Sequence, residues 1–105
     1  MDDKKIQEMQ MLEQGMHNIL LQKQAFQIEL AETQSALNEI EKTDDEVYKI
    51  IGQLMIKKNK TQIKEELLNK EKLLNLRIKS LEKQETAVVG QLEKFREEAL
   101  KFSKK

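Results

Sequence analysis

The chain has 105 residues, of which 36% are charged and 38% hydrophobic, with three glycines and no proline, tryptophan or cysteine. One domain at most is expected, and it lacks the large apolar side chains that fill a globular interior. The 19 basic residues balance the 19 acidic ones, so no net field favours nucleic acid or an anionic membrane surface. No apolar run approaches the ~18 residues of a spanning helix, and cysteine is absent, so we expect a soluble, cytoplasmic protein.

The first part of the chain has the apolar spacing of a coiled-coil helix. Alternating steps of three and four residues select ten seam positions, eight of them apolar. These positions are Met9, Leu12, Met16, Ile19, Lys23, Phe26, Leu30, Thr33, Leu37 and Ile40. We predict a helix over about residues 4–42, ended by the turn-forming residues Thr43, Asp44 and Asp45.

A different pattern follows, rich in β-branched side chains and interrupted by a glycine. This pattern predicts a β-hairpin over about residues 47–58 that turns near Gly52 and Gln53. Its apolar groups would lie on both faces of the strands, which is typical of strands that associate with other chains. The predicted oligomerisation residues are Val47, Tyr48, Ile50, Ile51, Gly52, Leu54, Met55 and Ile56.

A second coiled-coil helix is predicted over about residues 60–102. Asn59, with Gln62 three residues later, favours an N-cap with a capping box. The same steps of three and four select a second seam, in which nine of eleven positions are apolar. The seam consists of Leu67, Glu71, Leu74, Ile78, Leu81, Glu85, Val88, Leu92, Phe95, Ala99 and Phe102.

The hairpin reverses the chain, so the two helices should run antiparallel. Residues 1–42 carry a net charge of minus four and residues 61–105 a net charge of plus three, which favours this intramolecular pairing. Registers in which paired residue numbers sum to about 104 or about 111 both satisfy the seams. The polar seam residues Lys23, Thr33, Glu71 and Glu85 either control the register or extend outward into solvent.

The order of helix, hairpin and helix, together with Glu65-Glu66-Leu67 and the run from Arg77 to Glu85, resembles the archaeal prefoldin beta-type family. The resemblance implies a mainly α fold, a long antiparallel two-helix coiled coil whose single hairpin joins an intersubunit β-barrel. It implies a hexamer of two alpha-type and four beta-type subunits, without cofactors. It further implies an ATP-independent chaperone that holds non-native proteins at its tips and passes them to a group II chaperonin.

Both ends of the chain should lie at the tip of the helix pair, where methionines and phenylalanines are concentrated. Methionine is flexible and polarisable, so such a surface can repack against clients of many shapes. The candidate client-binding residues are Met9, Met11, Leu12, Met16, Phe95, Leu100 and Phe102. The alternative for all except Met11 and Leu100 is that they only pack in the seam.

Gly15 and Gly90 should lie at about the same height in the helix pair. They form either a soft point that lets the tips separate, or ordinary surface positions or sites of close helix contact.

No catalytic, cofactor or metal site is predicted, because His17 is the only histidine and no phosphate loop or metal spacing occurs. The protein is therefore not expected to be an enzyme. A structural coiled-coil adaptor remains the alternative function, but a plain adaptor does not need the hairpin.

Overall fold

The computed structural model describes residues 3–43, 47–51 and 53–103, with the backbone alone at Ile50, Ile51, Phe102 and Ser103. The order is α1 (Asp3–Lys42), β1 (Val47–Ile51), β2 (Leu54–Lys58) and α2 (Lys60–Ser103). The prediction of two long helices joined by one antiparallel hairpin is therefore confirmed. The predicted turn residues Asp44, Asp45 and Gly52 lie outside the described residues.

The described residues divide into two compact units. The terminal unit comprises residues 3–25 and 78–103, and the hairpin unit comprises residues 26–77 without the gaps given above. Each unit contains one segment of α1 and one segment of α2. No helix in the described part of the chain is both long and apolar enough to cross a membrane.

The seam supplies the interior of each unit. Every described seam side chain is buried or partly buried, which confirms the two predicted seams position by position. The buried side chains are Ile19, Ile78 and Leu81 in the terminal unit and Thr33, Ile40 and Leu74 in the hairpin unit. Many large apolar residues off the seam, such as Met11, Leu21 and Leu76, are exposed instead.

Ion pairs in the terminal unit show that its two helix segments are antiparallel. The Lys5 ammonium lies 2.9 Å from the Glu98 carboxylate, and the Lys23 ammonium lies 3.0 Å from the Glu85 carboxylate. The earlier residue of α1 pairs with the later residue of α2, so the two segments run in opposite directions.

The hairpin unit shows the same antiparallel order. Glu41 pairs with Lys64, and the carboxylate of Glu29 lies 3.2 Å from the ammonium of Lys70. A cation–π contact adds to this pairing, because the Arg77 guanidinium carbon lies 5.5 Å from the Phe26 ring centroid.

Polar seam residues are satisfied in two different ways. The partly buried Lys23 and Glu85 bond to each other across the terminal unit, which favours register control for this pair. The sum of the residue numbers of Lys23 and Glu85 lies between the two predicted register sums, about 104 and about 111. Thr33 instead donates from its hydroxyl to the Glu29 carbonyl oxygen, one turn earlier in its own helix, at 2.8 Å.

The start of α2 is held by an N-cap and by the end of α1. The Asn59 side-chain oxygen accepts a hydrogen bond from the Thr61 backbone N–H at 2.8 Å, as the predicted N-cap requires. The Lys60 ammonium donates to the Thr43 carbonyl oxygen at 2.6 Å. The second bond ties the first turn of α2 to the residue that follows α1, so the two chain segments that flank the hairpin lie close together.

Replacing Leu74 with alanine should destabilise the chain strongly. Leu74 is 3% exposed, and removing a buried leucine side chain costs about 3 kcal/mol of unfolding free energy. The matched control is Leu76→Ala on the same helix, where the side chain is 58% exposed and the expected cost is below about 1 kcal/mol. Urea unfolding followed by circular dichroism measures both values, and equal losses would contradict the assigned interior.

Candidate functional site

An open groove with a volume of about 630 Å³ lies on the terminal unit. Its lining residues are Glu8, Met11, Leu12, Gln91, Lys94, Phe95 and Glu98. The groove lies between segments of two helices, and three apolar side chains from both helices meet in it.

Helical periodicity explains how these side chains come together. In α1 the lining residues are spaced by three and four positions from Glu8, and in α2 they follow the same spacing from Gln91, so each set lies on one helix face. Leu12 and Phe95 are partly buried seam residues. Met11 lies beside the seam and is 74% exposed, so its side chain is available to a bound molecule.

Charged groups of both signs border the apolar lining. The Glu98 carboxylate is paired with Lys5, and Lys94 and Glu8 also line the groove. Exposed ion pairs of this kind contribute little to stability, about 0–1 kcal/mol. The groove therefore offers an apolar floor with charged edges and no single preferred ligand charge.

The structure brings together three of the seven predicted client-binding residues, namely Met11, Leu12 and Phe95. Met9 and Met16 are partly buried on the seam, and Leu100 is exposed away from the groove lining. The side chain of Phe102 lies outside the described residues.

Sequence reasoning missed the polar edge of the groove, formed by Glu8, Gln91, Lys94 and Glu98. The signal that could have found them is helical spacing. Glu8, Gln91 and Glu98 each lie three or four positions from Met11, Leu12 or Phe95 in their own helix, and Lys94 lies three positions from Gln91.

The hairpin carries a second candidate surface. Val47 pairs with Lys58, Lys49 with Ile56, and Ile51 with Leu54, so these residues share one face of the two-stranded sheet. Tyr48 pairs with Lys57 and Ile50 with Met55, and these pairs share the opposite face.

Apolar side chains are exposed on both faces of the hairpin. Leu54 is 67% exposed on one face and Met55 is 66% exposed on the other, and Ile56 and Tyr48 are also exposed. Val47 is partly buried, and the predicted residues Ile50 and Ile51 are described by their backbone alone. An isolated two-stranded sheet with two apolar faces is marginal in water, so this surface favours a partner.

Glu66 of α2 joins both strands to the helix. Its carboxylate accepts hydrogen bonds from the ammonium groups of Lys49 at 3.1 Å and Lys58 at 3.2 Å. These two hydrogen bonds hold the pKa of the Glu66 carboxyl below its usual value of 4.5, and the bond from Lys49 has the larger effect. The same cause, a hydrogen bond from Lys64, lowers the pKa of Glu41.

A family model described as "Prefoldin subunit" matches residues 3–104. The chain belongs to the prefoldin subunit family. Prefoldin subunits are components of a molecular chaperone, so the chain is a chaperone subunit of this family. The predicted resemblance to archaeal prefoldin beta subunits is confirmed by the relatives described next.

Known relatives agree with the fold. The prefoldin subunit beta of Pyrobaculum islandicum is 41% identical over 85 residues, which are 79% of this chain and 68% of that protein. The crystal structure of the prefoldin beta subunit from Thermococcus strain KS-1 superposes with a TM-score of 0.83 at 32% identity, covering 90% of this chain and 85% of that chain. The beta2 subunit from the same strain, at 19% identity and a TM-score of 0.74, shares the fold over 83% and 95% of the two chains.

Replacing Glu66 with glutamine should loosen the hairpin at neutral pH. Since the folded-state pKa of Glu66 is lowered, its carboxylate stabilises the fold above pH 4.5, and this contribution is lost as the pH falls through the lowered pKa. Amide exchange of residues 47–51 and 54–58 should therefore be faster in Glu66→Gln than in wild type at pH 7, and the protection factors should converge once the pH falls below the lowered pKa.

Glu65→Gln is the matched control, because Glu65 is an exposed carboxylate on the preceding residue of the same helix. Its hairpin amides should be protected as in wild type. Equal protection in wild type and Glu66→Gln at pH 7 would show that the two lysine bonds do not hold the hairpin.

Proposed function

We propose that this prefoldin-family chain is a subunit of a hexameric, ATP-independent chaperone that holds non-native proteins in the terminal groove. The observation that carries the proposal is the groove itself, in which an exposed methionine lies beside two seam residues. Unfolded proteins expose apolar segments, and a polarisable, flexible methionine adapts to many of them. Holding by apolar contact needs no nucleotide, because burial of apolar surface drives it.

The hexamer assembles through the hairpin. We propose two alpha-type subunits and four copies of this chain, joined by their hairpins into a double β-barrel. The exposed apolar residues on both hairpin faces support this assembly, since a barrel would cover one face and pair the strand edges. The names of the relatives as prefoldin beta subunits support the beta-type position.

Release of the client is the remaining step of the proposal. Binding by apolar contact is reversible, and a released client would rebind or aggregate unless another protein captured it, so we propose transfer to a group II chaperonin. The cysteine-free sequence fits a reducing compartment, which supports a cytoplasmic location.

Replacing Met11 with serine should weaken holding. Burying about half of a methionine side chain is worth roughly 1 kcal/mol of binding free energy. The concentration of complex needed to halve client aggregation should therefore rise about fivefold. The measurement is suppression of the aggregation of denatured lysozyme by the complex assembled with its partner subunits. The concentration that halves the light scattering reports holding.

Leu21→Ser is the matched control, because Leu21 is also an apolar residue of α1 in the terminal unit, is 52% exposed and does not line the groove. Its complex should hold lysozyme as well as wild type does. Equal losses in both variants, or none in Met11→Ser, would reject the groove as the client site.

A further inference from the structure

The two helical glycines of the terminal unit are not required by packing. Gly15 lies in α1 and Gly90 in α2, and a Cβ added at either would meet no heavy atom within 4 Å other than those of its chain neighbours and of its own helix backbone. Alanine would therefore fit at both positions, and the alternative that the glycines permit close helix contact is wrong. The equilibrium constant for the helical conformation is about fivefold larger with alanine than with glycine at such a position, so each helix carries an avoidable weak point.

The weak points separate the groove from the buried part of the terminal unit. All groove residues of α1 precede Gly15, and all those of α2 follow Gly90. The buried side chains Ile19, Ile78 and Leu81 lie on the other side of the glycines.

The helices are also packed less tightly on the groove side of the glycines than on the other side. Among described side chains of residues 3–14 and 91–101, none is buried and the seam positions are only partly so. On the buried side the helices are also joined by the partly buried pair of Lys23 and Glu85. The pair of Lys5 and Glu98 beyond the glycines is more exposed, so it resists separation less.

We infer that Gly15 and Gly90 form a paired hinge that lets the two groove-bearing helix segments separate to admit client segments bulkier than the closed groove. The inference rests on the proposed client-holding function. Among the described residues, separation breaks partly buried contacts and the exposed ion pair of Lys5 with Glu98, and the buried residues next to the hinge keep the helices joined. The glycines thus set the range of client sizes, while Met11, Leu12 and Phe95 provide the contact.

The first experiment measures the hinge without any client. The chain has no cysteine, so spin labels can be attached at Gln7→Cys and Glu97→Cys, both exposed positions beyond the glycines. Labelled subunits are diluted among unlabelled ones in the assembled complex. The distribution of distances between the two labels of one subunit is measured by pulsed electron paramagnetic resonance. In Gly15→Ala/Gly90→Ala the long-distance population should fall at least about fivefold.

Asn38→Ala/Asn75→Ala is the matched control, since it raises helix propensity at two exposed positions, one on each helix, in the hairpin unit. Its distance distribution should equal that of wild type. A distribution in Gly15→Ala/Gly90→Ala that is as broad as in wild type would overturn the hinge.

The second experiment compares a small client, denatured lysozyme, with a larger one, denatured citrate synthase. The complex with Gly15→Ala/Gly90→Ala should suppress the aggregation of lysozyme at the same concentration as wild type. For citrate synthase it should need a concentration at least about threefold higher. Equal holding of both clients, with a narrowed distance distribution, would show that the hinge does not serve client binding. Because the distances are measured without client, failure of the groove proposal leaves the test of the hinge intact.

Discussion

The seam between the two helices is the interaction on which the rest of the molecule depends. With four aromatic residues and 36% charged residues, the chain can fill a line of apolar contacts but not a rounded interior. The burial pattern follows this constraint closely, since the described seam positions are buried or partly buried in both units. Stability is therefore distributed along the helices rather than concentrated in one centre.

Among the apolar surfaces that a seam of this kind leaves exposed, two combine several residues. At the hairpin, Leu54 and Met55 are exposed on opposite faces of a two-stranded sheet. In the terminal unit, Met11 is exposed beside the partly buried Phe95. The first surface suits a permanent partner, because strand edges and two apolar faces demand one. The second surface combines weak packing with a methionine, which suits transient ligands.

Much of this architecture could be predicted from the sequence, because hydrophobic spacing reports directly on burial. The steps of three and four located both seams, and the change of pattern at Val47 located the hairpin. The apolar part of the groove followed from the concentration of methionine and phenylalanine near the chain ends. These features depend on apolar area, whose free energy is large enough to leave a clear periodic pattern.

The polar contacts could not be predicted in the same way. The bonds of Glu66 to two strands and the pairing of Lys23 with Glu85 depend on the register and on the side-chain conformation of long, charged residues. Exposed contacts of this kind are weak and screened by solvent, so many alternative pairings are nearly equal in energy. Whether Gly15 and Gly90 permit close helix contact likewise does not follow from the sequence, since it depends on the space around each glycine in the folded chain.

The most direct test of the idea that the hairpin surface joins this chain into a chaperone complex is the native mass of that complex. A tagged copy of the chain is purified from the lysate of its own cells, and native mass spectrometry gives the mass of the complex and of each component. Four copies of this chain with two copies of a longer helical chain are expected. A monomer, a dimer or a pair with an unrelated protein would contradict the proposed assembly, although the antiparallel helix segments within each unit would stand.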